Sequence, residues 1–93
     1  MRRARIRLLM AKAITETLPF GHSLTYPNVR RYVSRDLLTL YNIRRDTPIY
    51  PSDWCIALKV AREERVTRQR DGLPLGGRPP SEDRLLKFIN SLF

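Results

Sequence analysis

The sequence is poor in the residues that build covalent or metal-bound frameworks. It contains one cysteine, Cys55, and one histidine, His22. A single cysteine cannot form an intramolecular disulfide, and these two residues are too few for the usual Cys/His metal sites. We therefore expect a chain without a metal or other cofactor that works inside the cell, in the cytoplasm or on the nucleoid.

Long apolar runs are also absent. No stretch approaches the roughly 18 uncharged apolar residues that a membrane-spanning helix needs, so we expect no membrane span. The basic start of the chain leaves two alternatives open, an organelle-targeting segment and attachment of the first helix to an anionic membrane surface. Both would remove that helix from the core.

The groups that catalysis requires are scarce. His22 is far from Cys55 in sequence, and Cys55 follows Trp54 in an apolar run, where a buried cysteine acting as a small hydrophobe is the common case. Glu63 and Glu64 alternate with arginines, which is typical of a solvated, salt-bridged face. No glycine-rich phosphate loop precedes a lysine followed by Ser or Thr. The sequence predicts a protein that is not an enzyme.

Positive charge is present in excess. Fifteen of the eighteen cationic residues are arginine, against nine carboxylates, and the formal net charge is +9. Arginine keeps its charge at biological pH and presents a rigid fork of donors that matches phosphate or carboxylate. The excess is concentrated in residues 1–12 and 28–46. This favours a polyanionic partner, although arginine-rich codon usage would give a similar composition.

The hydrophobic periodicity predicts an all-α fold, with a compact three-helix domain and a short C-terminal helix after a Gly/Pro-rich linker. We expect a basic helical domain over residues 1–71, a linker over 72–80 and a docking helix over 81–93, within a single domain overall. The apolar stripe of the first helix consists of Ile6, Leu9, Met10, Ala13 and Ile14.

Capping residues set the expected ends of the other helices. Thr25 is the predicted N-cap of one continuous second helix that reaches about residue 41. Ser52 is the predicted N-cap of the third helix and Ser81 that of the last. After Ala61 the third helix is expected to leave the core as a charged extension over residues 62–70, because that segment has one aliphatic residue in nine.

The basic residues form three clusters, and two of them are the candidate nucleic-acid contacts. The third, Lys59, Arg62, Arg65 and Arg68, is equally well explained as a solvated face, because nearby acids almost cancel its charge. The first cluster lies on the second helix and just after it, and the second lies at the N-terminus. The candidate residues are Arg30, Arg31, Arg35, Arg44 and Arg45, followed by Arg2, Arg3, Arg5 and Arg7. Neutralising phosphates releases condensed counterions and needs clustered cations. The sequence therefore predicts a small accessory or regulatory protein that binds DNA or RNA.

Aromatic residues and one short motif bear on the type of nucleic acid. Tyr26 and Tyr50 adjoin prolines and are candidates for stacking on bases, whereas Tyr32 and Tyr41 fall on the apolar stripe and are expected in the core. A connector of about ten residues before the third helix is too long for a helix-turn-helix. The segment 77–79, Gly-Arg-Pro, resembles the core of AT-hooks, but glycine at position 76 replaces the arginine of that pattern.

A protein-interaction module is the alternative hypothesis. Such an adaptor or inhibitor, of the kind that viruses and mobile elements encode, would bind an acidic surface or groove of a larger protein. The charged extension and the apolar face of the last helix are the candidate contacts. They comprise Arg62, Arg65, Arg68 and Arg70, and Leu85, Phe88, Ile89 and Leu92.

Overall fold

The computed structural model describes residues 2–18, 22–72 and 82–92. Within these ranges the chain is helical and contains no strand. The helices are α1 (Arg3–Thr17), α2 (Tyr26–Tyr32), α3 (Arg35–Thr39), α4 (Pro51–Arg70) and α5 (Glu82–Ser91). The all-α prediction is confirmed, including the C-terminal helix.

Helix α1 is the centre of the fold. It packs against α3, α4 and α5, and every residue from Ile6 to Ala11 is buried. The predicted stripe is buried as expected, but neighbours on several sides also cover Leu8 and Arg7. The buried surface of α1 is therefore wider than one amphipathic face.

The prediction of one continuous second helix is wrong. Thr25 is the N-cap as predicted, and its hydroxyl accepts a hydrogen bond from the Asn28 N–H at 3.4 Å. The helix ends at Tyr32, and Ser34 adopts an extended conformation and caps a second helix by accepting from the Leu37 N–H at 3.1 Å. A serine hydroxyl that binds a nearby backbone N–H competes with continuation of the helix. Helices α2 and α3 are the result.

Helix α3 ends in a Schellman motif at Asn42. The Ile43 N–H donates to the Leu38 carbonyl and the Asn42 N–H to the Thr39 carbonyl, which is the double bonding pattern of this motif. Asn42 has a φ of 68°, in the left-handed region that asparagine tolerates better than most residues. The turn buries Ile43 completely and sends the chain into the segment that carries Arg44 and Arg45.

Helix α4 corrects two further predictions. Its N-cap is Tyr50 rather than Ser52, with Pro51 in the first turn and the Asp53 carboxylate accepting from the Tyr50 N–H at 2.9 Å. Residues 62–70 do not leave the core as a charged extension, because Glu64, Thr67 and Arg68 are buried. The helix stays against its neighbours because ion pairs satisfy its buried charges.

Helix α5 packs against α1 and α4 in the same chain. Leu85 and Ile89 are buried in the shared core. At its start, Glu82 accepts hydrogen bonds from Lys12 at 2.8 Å and from Arg5 at 3.2 Å. The predicted Ser81 cap and most of the linker lie outside the described residues.

Two side-chain placements differ from expectation, and a third agrees with it. Tyr32 is 45% exposed rather than in the core, and Cys55 is exposed rather than buried. Tyr41 is partly buried, as expected of a core-facing residue, and donates its hydroxyl to Glu16. Burial, reinforced by this carboxylate, raises the pKa of Tyr41 to about 12.

Candidate nucleic-acid interface

An arginine-lined groove lies where α2, α3, the segment before α4 and the first turn of α4 meet. Its volume is about 420 Å³. Three guanidinium side chains line it, those of Arg30, Arg35 and Arg45, and none of its described lining residues carries a carboxylate. The other lining residues are Val33, Ser34, Thr47, Pro48, Ile49 and Trp54. Tertiary structure thus brings three of the five arginines of the first predicted cluster to one concavity.

Trp54 holds Arg30 in place. The guanidinium carbon of Arg30 lies 4.6 Å from the centroid of the Trp54 ring, within the range of a cation–π interaction. Trp54 is only 5% exposed, so its ring forms a fixed platform. Among the described residues Arg30 has no hydrogen-bond or ion-pair partner. Its donors are available to an anion.

Arg35 organises the groove wall. One of its terminal nitrogens donates to the carbonyl oxygens of Arg44 and Thr47. These two bonds hold the segment between α3 and α4 against the start of α3. Arg35 is half-buried and lines the groove. Replacing it would disturb the wall as well as the charge.

Arg44 and Arg45 have exposed carboxylate neighbours. Arg45 pairs with Asp36, and Arg44 lies 3.4 Å from Asp46. All four side chains are at least 70% exposed, and ion pairs in such positions contribute little to stability. A phosphate could therefore replace either carboxylate at low cost. Arg31 is exposed and has no ion pair within the described ranges.

The N-terminal arginines divide between the core and the surface. The fully buried Asp53 carboxylate accepts from Arg3 at 2.7 Å and from Arg7 at 2.8 Å. Burial alone would raise the pKa of Asp53, but the hydrogen bonds from the Tyr50 N–H, Arg7 and Arg3 outweigh it and lower the pKa. Arg7 is buried in this cluster, whereas Arg2 is exposed. The N-terminal arginines therefore cannot all serve as surface contacts.

Arg3 connects the N-terminus with the groove. It also donates to the Pro48 carbonyl at 2.8 Å, and its guanidinium carbon lies 5.0 Å from the centroid of the Tyr50 ring. Pro48 lines the groove, and Tyr50 is 52% exposed. Arg3 thus links α1 to the groove-lining residue Pro48 and to Tyr50. Tyr26, the other stacking candidate, is the first residue of α2 and is 39% exposed.

The arginines of α4 mainly hold the fold together. Arg62 donates to the Leu24 carbonyl at 2.8 Å, and Arg65 donates to the carbonyls of Leu18 and His22. These bonds tie α4 to the segment after α1. Burial lowers the pKa of Arg65 from its ordinary value.

The remaining protein-interface candidates are distributed between core and surface. Arg68 is buried and donates to Glu64 at 2.8 Å, and Arg70 is exposed beside Asp71. On α5, Leu85 and Ile89 are buried and Phe88 is partly buried, while Leu92, just after the helix, is 39% exposed. The apolar face of α5 is therefore largely occupied within the chain.

Sequence reasoning missed the part that Trp54 and residues 47–49 play in the groove. The sequence favours Trp54 as part of the inward stripe of the third helix or as an aromatic that could stack on a base, but not as a platform for Arg30, and it predicts the segment 47–49 only as a connector. No local pattern relates Arg30 to Trp54, because the two residues meet only when α2 packs against α4. The presence of a single tryptophan near a basic cluster was the one available signal.

The described residues contain neither a membrane-length apolar helix nor a cluster of three or more His, Cys, Asp or Glu side chains suited to a metal ion. The Gly-Arg-Pro segment at 77–79 lies outside those residues. Comparisons with protein-family models, curated proteins and solved structures found no match to this chain.

Proposed function

We propose that this chain is a small, non-enzymatic nucleic-acid-binding protein. It contacts phosphates through the arginines that line the groove and their exposed neighbours in the sequence. The observation that carries the proposal is the convergence of Arg30, Arg35 and Arg45 on one concavity whose lining, among the described residues, includes no carboxylate. Asp36, which pairs with Arg45, is exposed and is not part of that lining. The protein would act as an accessory or regulatory factor, in the cytoplasm or on the nucleoid.

Phosphate suits this face better than a single carboxylate would. Guanidinium groups bind phosphate oxygens through two parallel hydrogen bonds, and several such groups at one place match a chain of phosphates. The net charge of +9 adds a long-range attraction for any polyanion. Release of counterions from the nucleic acid supplies much of the binding free energy.

The proposed contact residues differ in their exposure and in how far they also hold the fold together. Arg30 and Arg45 are exposed and line the groove, so they are the principal contacts. Arg31 and Arg44 are exposed and are their neighbours in the sequence. Arg2 would extend the surface, and Arg3, Arg5 and Arg35 would add charge while holding the fold. Arg7 is left out, because it is buried against Asp53.

Charge reversal tests the proposal. The double variant Arg30→Glu, Arg31→Glu should bind a labelled oligonucleotide at least about tenfold more weakly than the parent at 50 mM salt. The matched control is Lys59→Glu, Lys87→Glu, which makes the same change in net charge at two exposed residues that do not line the groove. Fluorescence anisotropy gives both affinities. Equal losses in the two variants would contradict a localised site.

Salt dependence provides the second test. Affinity of the parent protein should fall steeply between about 50 and 200 mM salt, because each phosphate contact releases counterions. Affinity that does not respond to salt would exclude the proposal. Circular dichroism melting of each variant checks that the domain remains folded. Arg35 is left unchanged because its contacts with two carbonyls support the groove wall.

Binding to a protein partner with an acidic surface is the alternative to nucleic-acid binding. Capture of one stoichiometric protein from nuclease-treated extract, together with no binding to oligonucleotides, would favour it. The packing of Leu85 and Ile89 against α1 and α4 removes the main apolar surface on which that alternative relied.

A further inference from the structure

We infer that the groove receives one unpaired nucleotide of a single-stranded nucleic acid, with its phosphate on the guanidinium groups and its base against the apolar wall. This inference rests on the proposed function and specifies which form of nucleic acid the site selects. Three observations support it. The groove has a cationic side and an apolar side, its volume suits one nucleotide, and Arg30 is held in a fixed position.

The groove has a cationic side and an apolar side. Arg30, Arg35 and Arg45 supply the first, and Val33, Pro48 and Ile49 contribute to the second. A phosphate alone would need only the cationic side. A nucleotide has an anionic phosphate and a base whose flat faces stack on apolar surfaces, so it matches both sides together.

The size of the groove fits a single nucleotide. Its volume of about 420 Å³ falls in the range of small-molecule pockets, roughly 300 to 1,000 Å³. The bases of a duplex are paired and stacked inside the helix, and a duplex offers the protein mainly its sugar–phosphate surface. Only an unpaired base can turn outward into a pocket of this kind.

Contacts within the protein fix the positions of Arg30 and Arg35 before a ligand binds. Arg30 lies over the buried Trp54 ring, and a stacked guanidinium keeps the N–H groups at its edge free for hydrogen bonds. Arg35 is held by two backbone carbonyls. Groups that are already ordered lose less conformational entropy on binding. Tyr50 follows Ile49 and is half-exposed, with Arg3 over one face of its ring, so a neighbouring base would stack on the other face.

Trp54 provides the fluorescence signal for the test, because it is the only tryptophan in the chain and it lines the groove. Its emission is recorded during titration with a mixed-sequence single strand, the matched duplex, 5′-AMP and inorganic phosphate. The single strand should change the emission at a concentration at least about fivefold lower than the duplex. 5′-AMP should bind more tightly than inorganic phosphate, because only 5′-AMP reaches the apolar wall.

Variants separate the contribution of the base from that of the charge. Ile49→Thr makes the wall polar without changing any charge, so it should weaken binding of the single strand and 5′-AMP and leave duplex binding unchanged. Pro48→Ser, at an exposed residue, is the second variant if Ile49→Thr lowers the melting temperature. Arg30→Lys keeps the charge but loses the stacked fork, and it should weaken binding of all the phosphate ligands.

The outcomes distinguish this inference from the proposed function. Equal affinity for single strand and duplex, with no effect of Ile49→Thr or Pro48→Ser, would overturn the inference and leave phosphate binding intact. Absence of binding to every oligonucleotide would overturn both. Preference for the single strand that Ile49→Thr or Pro48→Ser abolishes is the result that supports the inference.

Discussion

Arg30 of α2 lies over the ring of Trp54 of α4, with its guanidinium carbon 4.6 Å from the ring centroid. This contact joins two helices that are separated in sequence by α3 and a connecting segment. It also places an arginine without other described partners at the edge of the groove. One interaction therefore bears on both the stability of the domain and its proposed binding.

Removing the cation–π contact should have a small but measurable effect on stability. Arg30→Met keeps most of the aliphatic stem and removes the charge, so we expect a loss of about 0.5–1 kcal/mol in the free energy of unfolding. Arg31→Met is the matched control, because Arg31 is exposed on the same helix and has no partner in the described ranges. Urea denaturation measures both. Equal losses would mean that the ring contributes nothing.

Protonation of Asp53 should destabilise the domain in acid. Its pKa is lower in the folded protein than its ordinary value of 3.8. A carboxyl group of this kind contributes stability above its unfolded pKa, and this contribution is lost as the pH falls through the folded pKa. We therefore expect the free energy of unfolding to decline below about pH 4. Denaturation curves from neutral pH downward measure this decline.

The variant Asp53→Asn tests the same cluster at neutral pH. It removes the charge that Arg3 and Arg7 share, and breaking a buried pair in this way costs about 3 to 5 kcal/mol. Its stability should also depend less on acid than that of the parent. Asp46→Asn is the control, since its side chain is 73% exposed. A parallel acid dependence in both variants would show that another group is responsible.

Glu64 should be far more important for stability than its neighbour Glu63. The Glu64 side chain is 2% exposed and accepts hydrogen bonds from Arg68 at 2.8 Å and from Arg84 at 3.1 Å. Glu64→Gln should cost about 3 to 5 kcal/mol because it removes a buried carboxylate that accepts from two guanidinium groups. Glu63 is exposed, and Glu63→Gln should change stability by less than about 0.5 kcal/mol. Thermal denaturation that fails to separate the two variants would contradict this arrangement.

Helix α5 should behave as part of the core. Ile89 is fully buried, and Ile89→Ala should destabilise the protein by about 2 to 5 kcal/mol. Leu92 is 39% exposed, so Leu92→Ala should have a much smaller effect. Chemical denaturation of both variants provides the comparison. If Ile89→Ala were as stable as the parent, α5 would not pack on α1 and α4 in solution.

Much of the fold could be predicted because local patterns report it. The apolar stripe of α1 follows from side chains that repeat with the period of a helix, and the Thr25 cap follows from a hydroxyl placed just before a first helical turn. The break between α2 and α3 was missed although its cause is local. Val29, Val33 and Leu37 continue the apolar pattern across Ser34, and periodicity does not show that a serine hydroxyl will cap a new helix there.

The sequence by itself determined the helical class, the excess of arginine and its concentration in residues 1–12 and 28–46. Only the tertiary structure decided which arginines hold the core and which face solvent. Arg3 meets Asp53 across 50 positions, and Arg5 meets Glu82 across 77. Periodicity describes one helix at a time, whereas an ion pair or a groove depends on how helices pack. For that reason Arg7 and Arg68 are buried, and Arg30 remains available at the groove.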